Sequence, residues 1–152
     1  MNAKMLALVA FLLAYTVQAG AADARDVIVV IVNKANPSAA LSRNELRPIF
    51  QTTKMQWPDG SRITPYDLPD GDAVRDRFNA AVLGLDPDRV TRYWIDRKIR
   101  GGERPPVKLS GPAAVVHAVA TNPGAIGYVS ASDASNVVKV VAQIRGGEVV
   151  AP

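Results

Sequence analysis

The amino-acid sequence predicts a single α/β domain with a mixed, mostly parallel sheet of about four or five strands and four flanking helices. Residues 26–32 (DVIVVIV) form a nearly continuous β-branched run, which is typical of a strand buried on both faces. Further along the chain, segments with helical periodicity alternate with short apolar runs that are typical of strands, as in α/β proteins. The 152 residues contain no internal repeat and no second apolar core, so one domain is expected.

The first 21 residues have the pattern of a secretory signal peptide. Lys4 supplies a basic start, residues 5–17 are apolar, and residues 19–21 (Ala-Gly-Ala) form a small-residue cleavage site. The apolar run is shorter than the roughly 20 residues that span a bilayer. We therefore expect a periplasmic or secreted domain at residues 22–152 with no membrane span after cleavage. An uncleaved N-terminal anchor is the alternative.

A capping box marks the start of the first predicted helix. Ser42 and Glu45 have the spacing at which each side chain bonds the backbone N–H of the other residue. The helix is expected to run to Phe50, with Leu46 and Ile49 on the same apolar face.

The segment after this helix is predicted to turn and then form a strand. Residues 57–62 (WPDGSR) combine proline and glycine as turns do, and Trp57 is expected to pack beneath its own turn. Residues 62–68 read as a strand, and Pro65 places it near a sheet edge.

Three more helices, a strand and a hairpin complete the prediction. The helices are expected at about 72–83, 86–100 and 112–121, the strand within 122–129 and the hairpin at 136–150. The capping residues expected for these helices are Asp72, Asp86 and Ser110. In the helix at 72–83 the predicted buried stripe is Val74, Phe78, Ala81 and Val82, and the residues expected outside it are Arg75, Asp76, Arg77 and Asn79. The helix at 112–121 is apolar almost all round and is expected to be well buried.

The order of these motifs resembles the second lobe of the periplasmic phosphate-binding proteins of ABC transporters. The resemblance is carried by VIVVIVNKANPSAALSRNELRPIF, by WPDGSRITPYDLPDG and by NPGAIGYV. It implies the three-layer lobe of a periplasmic binding protein and an exported domain that binds phosphate or another small oxyanion. The family's glycine-rich phosphate loop has no counterpart at residues 22–26, so we expect the second lobe only.

The ligand loop departs from the family pattern, which typically reads Arg-x-Asp-Gly-Ser-Gly-Thr. Only Asp70 and Gly71 match it. The other pattern positions are occupied by Leu68, Asp72, Ala73 and Val74. A carboxylate at Asp72 would repel a phosphate about 4 Å away by roughly 1 kcal/mol in water, so binding is expected to be weak.

The candidate ligand site combines two predicted helix N-termini, where free N–H groups and the helix dipole favour anions. Its residues are Asp70, Gly71, Asp72, Ala73, Arg75, Ser110 and Gly111. The alternative is that Asp72 and Ser110 only cap their helices. A second hypothesis is a periplasmic protein-interaction module that keeps the fold of the lobe and binds its partner through residues 89–108. This segment contains seven basic and two acidic side chains. A third is a lobe completed by a second chain, either a homodimer or a separate subunit.

The sequence favours no enzyme, no cofactor and no metal site. His117 is the single histidine and the chain has no cysteine, so a zinc site and a nucleophile–histidine pair lack partners. The formal net charge of +4 is too small to predict nucleic-acid binding.

Overall fold

The computed structural model describes Asp23 and residues 25–152. The predicted signal peptide, residues 1–21, lies outside the described residues. The elements in chain order are β1 (Ile28–Asn33), α1 (Arg43–Phe50), β2 (Thr64–Asp67), α2 (Ala73–Val82), α3 (Pro87–Ile99), β3 (Val107–Lys108), α4 (Pro112–Thr121), β4 (Ala125–Ser130), β5 (Val138–Arg145) and β6 (Glu148–Val150). In this part of the chain, every helix is too short or too polar to cross a bilayer.

The six strands form one sheet in the order β3-β2-β4-β1-β5-β6. This confirms the α/β class and corrects two details, the strand number and the pairing. Only β2–β3 and β2–β4 are parallel pairs, because β1 runs antiparallel between β4 and β5 and the β5–β6 hairpin is antiparallel as well. A strand buried on both faces reads as the same apolar run beside either kind of neighbour, so the sequence of β1 did not reveal this. The two-residue β3 follows two prolines and was not predicted.

Helices cover both faces of the sheet, as expected for a three-layer lobe. On β4, the Gly127 backbone faces Val115 and Val119 of α4. The next side chain, Tyr128, lies on the opposite face, where its ring stacks on Phe78 of α2 at 3.7 Å between centroids. Phe50 of α1 contacts the same pair edge-on.

Most of the predicted helix starts are confirmed. Ser42 and Glu45 form the reciprocal capping box of α1, and Asp72 and Asp86 cap α2 and α3. The prediction that Ser110 caps α4 is wrong, because the N-cap position falls one residue later, on Gly111, and no side chain caps this helix.

Two burial predictions need correction. Arg75 and Asn79 were expected outside the buried stripe of α2, but both are buried. Helical periodicity assigns charged and amide side chains to solvent and cannot anticipate a buried carboxylate that neutralises one of them. The predicted all-round burial of α4 is also wrong, since His117 on this helix is exposed.

Candidate functional site

The structure brings both parts of the predicted ligand site to one edge of the sheet. Because β2 and β3 are parallel, their carboxyl ends lead side by side into residues 68–72 and 109–111. The Leu109 N–H donates to the Asp67 carbonyl oxygen at 3.0 Å. Lys108 Nζ donates to Asp70 Oδ2 at 2.8 Å and joins the two loops. Loops after the carboxyl ends of parallel strands are where open α/β sheets bind ligands.

A buried ion pair between Arg75 and Asp67 lies beneath the first loop, residues 68–72. Arg75 Nε donates to Asp67 Oδ2 at 2.9 Å, and the Arg75 residue is only 5% exposed. The Leu68 N–H donates to Asp67 Oδ1 at 2.9 Å, and the Tyr128 hydroxyl donates to the same oxygen. Burial works against the charged form of Arg75, but attraction and hydrogen bonding to Asp67, together with smaller contributions from Tyr128 and Asp70, outweigh it and raise the pKa of the guanidinium.

Asp70 forms the exposed end of the same network. Its carboxylate lies 3.3 Å from Arg75 Nη1 and accepts a hydrogen bond from Lys108. The Lys108 hydrogen bond is the main cause of the lowered pKa of Asp70. At the buried end, burial and then the Asp67 carboxylate raise the pKa of Tyr128 well above its ordinary value. Arg75 and Lys108, the two cations of this network, therefore already have carboxylate partners.

Asp72 occupies the N-terminus of α2 with its own carboxylate. Asp72 Oδ1 accepts hydrogen bonds from the N–H groups of Val74 at 2.8 Å and Arg75 at 3.3 Å. Gly71 has a φ of +81° and makes the turn that brings this carboxylate over the first helical turn. The N–H groups of Val74 and Arg75, which could otherwise face a bound anion, therefore donate to Asp72 instead.

The second predicted anion position, at the N-terminus of α4, has no capping side chain among the described residues. Gly111 begins α4 without a capping side chain, and Ser110 is exposed beside it. Ala73 is also exposed and offers no polar side chain. The predicted residues thus converge on one edge, with a side-chain cap at α2 and none, among the described residues, at α4.

Beside these loops lies a groove of about 770 Å³, which we call the α3 groove. It runs between one face of α3 and residues 102–105, and it reaches Asp70, Arg75 and Lys108 of the loop network. The α3 side chains that line it are Val90, Thr91, Trp94, Ile95 and Lys98.

Aromatic residues at helical spacing usually belong to the core, but Trp94 is half-buried in the wall of this groove. The sequence did carry a signal for this wide apolar face. Ile95 and Ile99 lie one helical turn apart, and they are adjacent on the helix surface to Val90 and Trp94, which are also one turn apart. Trp57, by contrast, is buried as predicted, and its Nε1 donates to the Gly124 carbonyl oxygen at 3.1 Å.

The architecture can now be compared with known proteins. A family model described as a PBP superfamily domain matches residues 23–151. The chain belongs to the PBP superfamily. No curated protein matches this PBP domain significantly.

Solved structures of phosphate transport receptors share the fold of this PBP domain. The receptor from Vibrio cholerae superposes with a TM-score of 0.60 at 18% identity, over 75% of this chain and 44% of its own. A substrate-binding protein from Clostridium perfringens, assigned to a phosphate ABC transporter and solved with phosphate bound, gives 0.61 at 23% identity, over 75% and 43%. PstS from Borrelia burgdorferi gives 0.56 at 10%, over 76% and 46%.

The PBP domain therefore spans less than half the length of these structural relatives. At these identities the likeness establishes the fold and leaves the ligand to be argued from the residues themselves. Within residues 23 and 25–152, no three acidic or histidine side chains are grouped closely enough to hold a metal ion.

Proposed function

We propose that this PBP domain is a non-enzymatic, extracytoplasmic binding module that keeps the lobe as a scaffold and engages a protein partner instead of phosphate. The signal-like residues 1–21 and the transport receptors among its structural relatives support the extracytoplasmic location. The proposal rests on one observation, the Asp72 carboxylate bonded to the first N–H groups of α2.

The electrostatics of the loop at residues 68–72 disfavour phosphate binding, which supports the proposed function. An incoming phosphate would meet the Asp72 carboxylate at the position where the helix dipole attracts anions. It would also have to compete with Asp67 and Asp70 for the Arg75 guanidinium, which already lies 2.9 Å and 3.3 Å from their carboxylates. Like charges about 4 Å apart repel by roughly 1 kcal/mol in water and by more in a partly buried loop.

Phosphate binding is the second candidate function, and it is favoured by the C. perfringens relative with phosphate bound. In this chain the uncapped N-terminus of α4, with Ser110, would have to supply most of the contacts. The two candidates differ in their response to phosphate, which makes a direct test available.

The test is thermal unfolding of the purified protein in phosphate and in sulfate at constant ionic strength. A ligand at 100 times its Kd adds about 2.7 kcal/mol to the free energy of unfolding, which raises the Tm by several degrees. We expect the wild-type Tm to be equal in the two salts up to millimolar concentrations. A saturable, phosphate-selective rise would contradict the proposed function.

The variant Asp72→Ser shows whether the carboxylate is the cause. Serine is also a good N-cap, so α2 should still form while the negative charge is removed. We expect this variant to gain a phosphate-dependent rise in Tm. The matched control is Asp86→Ser, which changes the same kind of capping residue at the start of α3 and should gain none.

A further inference from the structure

The α3 groove exposes an apolar helix face that nothing in the described chain covers. Along α3 only Val90 is buried, whereas Ile95 is 55% and Ile99 79% exposed. Trp94 adds a half-buried ring to the same wall, and Pro105 faces it from the opposite side. Contiguous exposed apolar side chains in a concave surface are typical of an interaction site.

Three cations on α3 or at its C-terminus have partners nearby. Arg89 and Arg100 pair with Asp86 and Asp96 of their own helix. Arg97 donates to the Tyr93 hydroxyl at 3.2 Å, and its guanidinium lies 5.9 Å from the centre of the Trp94 ring. These three side chains already have partners within the fold.

Lys98 of α3 and Arg104 of residues 102–105 lie on opposite walls of the α3 groove. Neither makes an ion pair within the described residues, and Glu103 beside them lies beyond salt-bridge distance of both. The groove therefore combines an apolar wall with two unpaired cations against the one unpaired carboxylate of Glu103, and this surplus complements a ligand that is apolar at its centre and acidic at its edges.

We infer that the α3 groove docks a segment of a partner protein that carries carboxylates on both sides of a large apolar side chain. The apolar side chain contacts Trp94 and Ile95, and the carboxylates pair with Lys98 and Arg104. A peptide segment fits better than a small solute because the apolar face continues past the groove to Ile99. This inference rests on the proposed function and adds the surface and the chemistry of the partner.

The probe is a fluorescein-labelled peptide, Glu-Glu-Phe-Leu-Glu-Asp, titrated with purified protein and followed by fluorescence anisotropy. Its comparison peptides carry Lys in place of every acidic residue, or Ala in place of Phe and Leu. We expect the acidic–apolar peptide to bind at least about tenfold more tightly than either comparison peptide, which corresponds to about 1.4 kcal/mol.

Protein variants locate the site. The double variant Lys98→Glu and Arg104→Glu should weaken binding at least about tenfold, and Ile95→Ser should weaken it several-fold. The control is Arg92→Glu, which reverses one charge on α3 where the double variant reverses two. Arg92 is exposed and lies outside the groove, so this variant should change the Kd by less than about twofold. Circular dichroism of each variant verifies folding.

Two results would overturn the inference. One is the absence of saturable binding by the acidic–apolar peptide up to about 1 mM. The other is a loss of affinity from Arg92→Glu that is as large per reversed charge as the loss from the double variant, which would indicate attraction to general positive charge. Either result leaves the proposed function standing, because that function fails only through a phosphate-selective rise in Tm.

Discussion

Arg75 remains charged inside the protein because two carboxylates and a tight hydrogen-bond network surround it. Asp67 is buried with it, and the Tyr128 hydroxyl and the Leu68 N–H satisfy the second Asp67 oxygen. Removing one partner of such a buried pair typically costs about 3–5 kcal/mol, because it leaves an uncompensated charge. The network therefore fixes the loop before α2. It also holds Arg75 directly after residues 68–74, the positions that were compared with the family's ligand-loop pattern.

Asp70 provides a pH test of the exposed end of this network. Its pKa is lowered below 3.8 by the Lys108 hydrogen bond, so its contribution to stability is present above pH 3.8 and is lost as the pH falls through the folded-state pKa. We expect Asp70→Asn to reduce the free energy of unfolding by at most about 1 kcal/mol at neutral pH, since the carboxylate is exposed. Urea unfolding of both proteins from about pH 7 to about pH 3 measures the difference, which should shrink only in the acidic range.

The control for this prediction is Asp133→Asn, which removes an exposed carboxylate that has no ion pair in the described part of the chain. It should leave the difference near zero throughout. A wild-type advantage over Asp70→Asn that grows as the pH falls would contradict the prediction.

At the scale of elements, the NPGAIGYV segment shows why two glycines are needed around β4. A Cβ at Gly124 would lie 2.2 Å from the Arg62 carbonyl oxygen, and one at Gly127 would lie 2.7 Å from Val115 Cγ1 of α4. The Gly124 carbonyl also accepts hydrogen bonds from Trp57 Nε1 and from the Thr64 N–H. The two glycines allow β4 to approach β2 on one side and α4 on one face.

We predict that Gly127→Ala lowers the free energy of unfolding by about 1–3 kcal/mol, because the added methyl group forces α4 away from the sheet. Chemical denaturation measures the change. Gly111→Ala is the control, since a Cβ there meets nothing within 4 Å and its backbone is extended, and it should cost less than about 1 kcal/mol. Equal losses from the two variants would show that the β4–α4 contact is not the cause.

At the scale of the whole molecule, stability is distributed unevenly. α1 buries Leu46, Ile49 and Phe50 against the sheet, but α3 buries only Val90 and is otherwise attached by contacts such as the Tyr93 hydroxyl bonding the Gln51 carbonyl oxygen at 3.3 Å. A helix with so little buried apolar surface opens locally at a lower free energy than the core. The element that forms the α3 groove is thus also the least firmly held helix.

Hydrogen–deuterium exchange should detect this difference. We expect amides of residues 90–100 to exchange faster than those of β1 and β4, through local opening rather than global unfolding. Binding of the acidic–apolar peptide should slow exchange in α3 and leave β1 unchanged. Equal protection of α3 and β1 in the free protein would contradict this account.

Local patterns sufficed wherever neighbours along the chain decide the structure. The capping box at Ser42 and Glu45, the Asp72 and Asp86 caps and the Gly146–Gly147 hairpin turn are satisfied by residues a few positions away. The β1 run predicted a fully buried strand, and all six of its residues are buried. The NPGAIGYV motif, together with the other quoted stretches, was enough to identify the family.

The tertiary structure decided everything that depends on distant partners. It set the antiparallel position of β1 between β4 and β5, the burial of Arg75 against Asp67 and the exposure of the α3 face. Periodicity measures how apolar one face of an element is, but not which element covers it. By itself, then, the sequence determined the α/β class and the approximate positions of the four helices, because these follow from local hydrogen bonds and hydrophobic spacing. Packing alone decided that Arg75 is buried against Asp67 and that one face of α3 stays exposed, because charges and apolar faces take their role from what lies next to them in space.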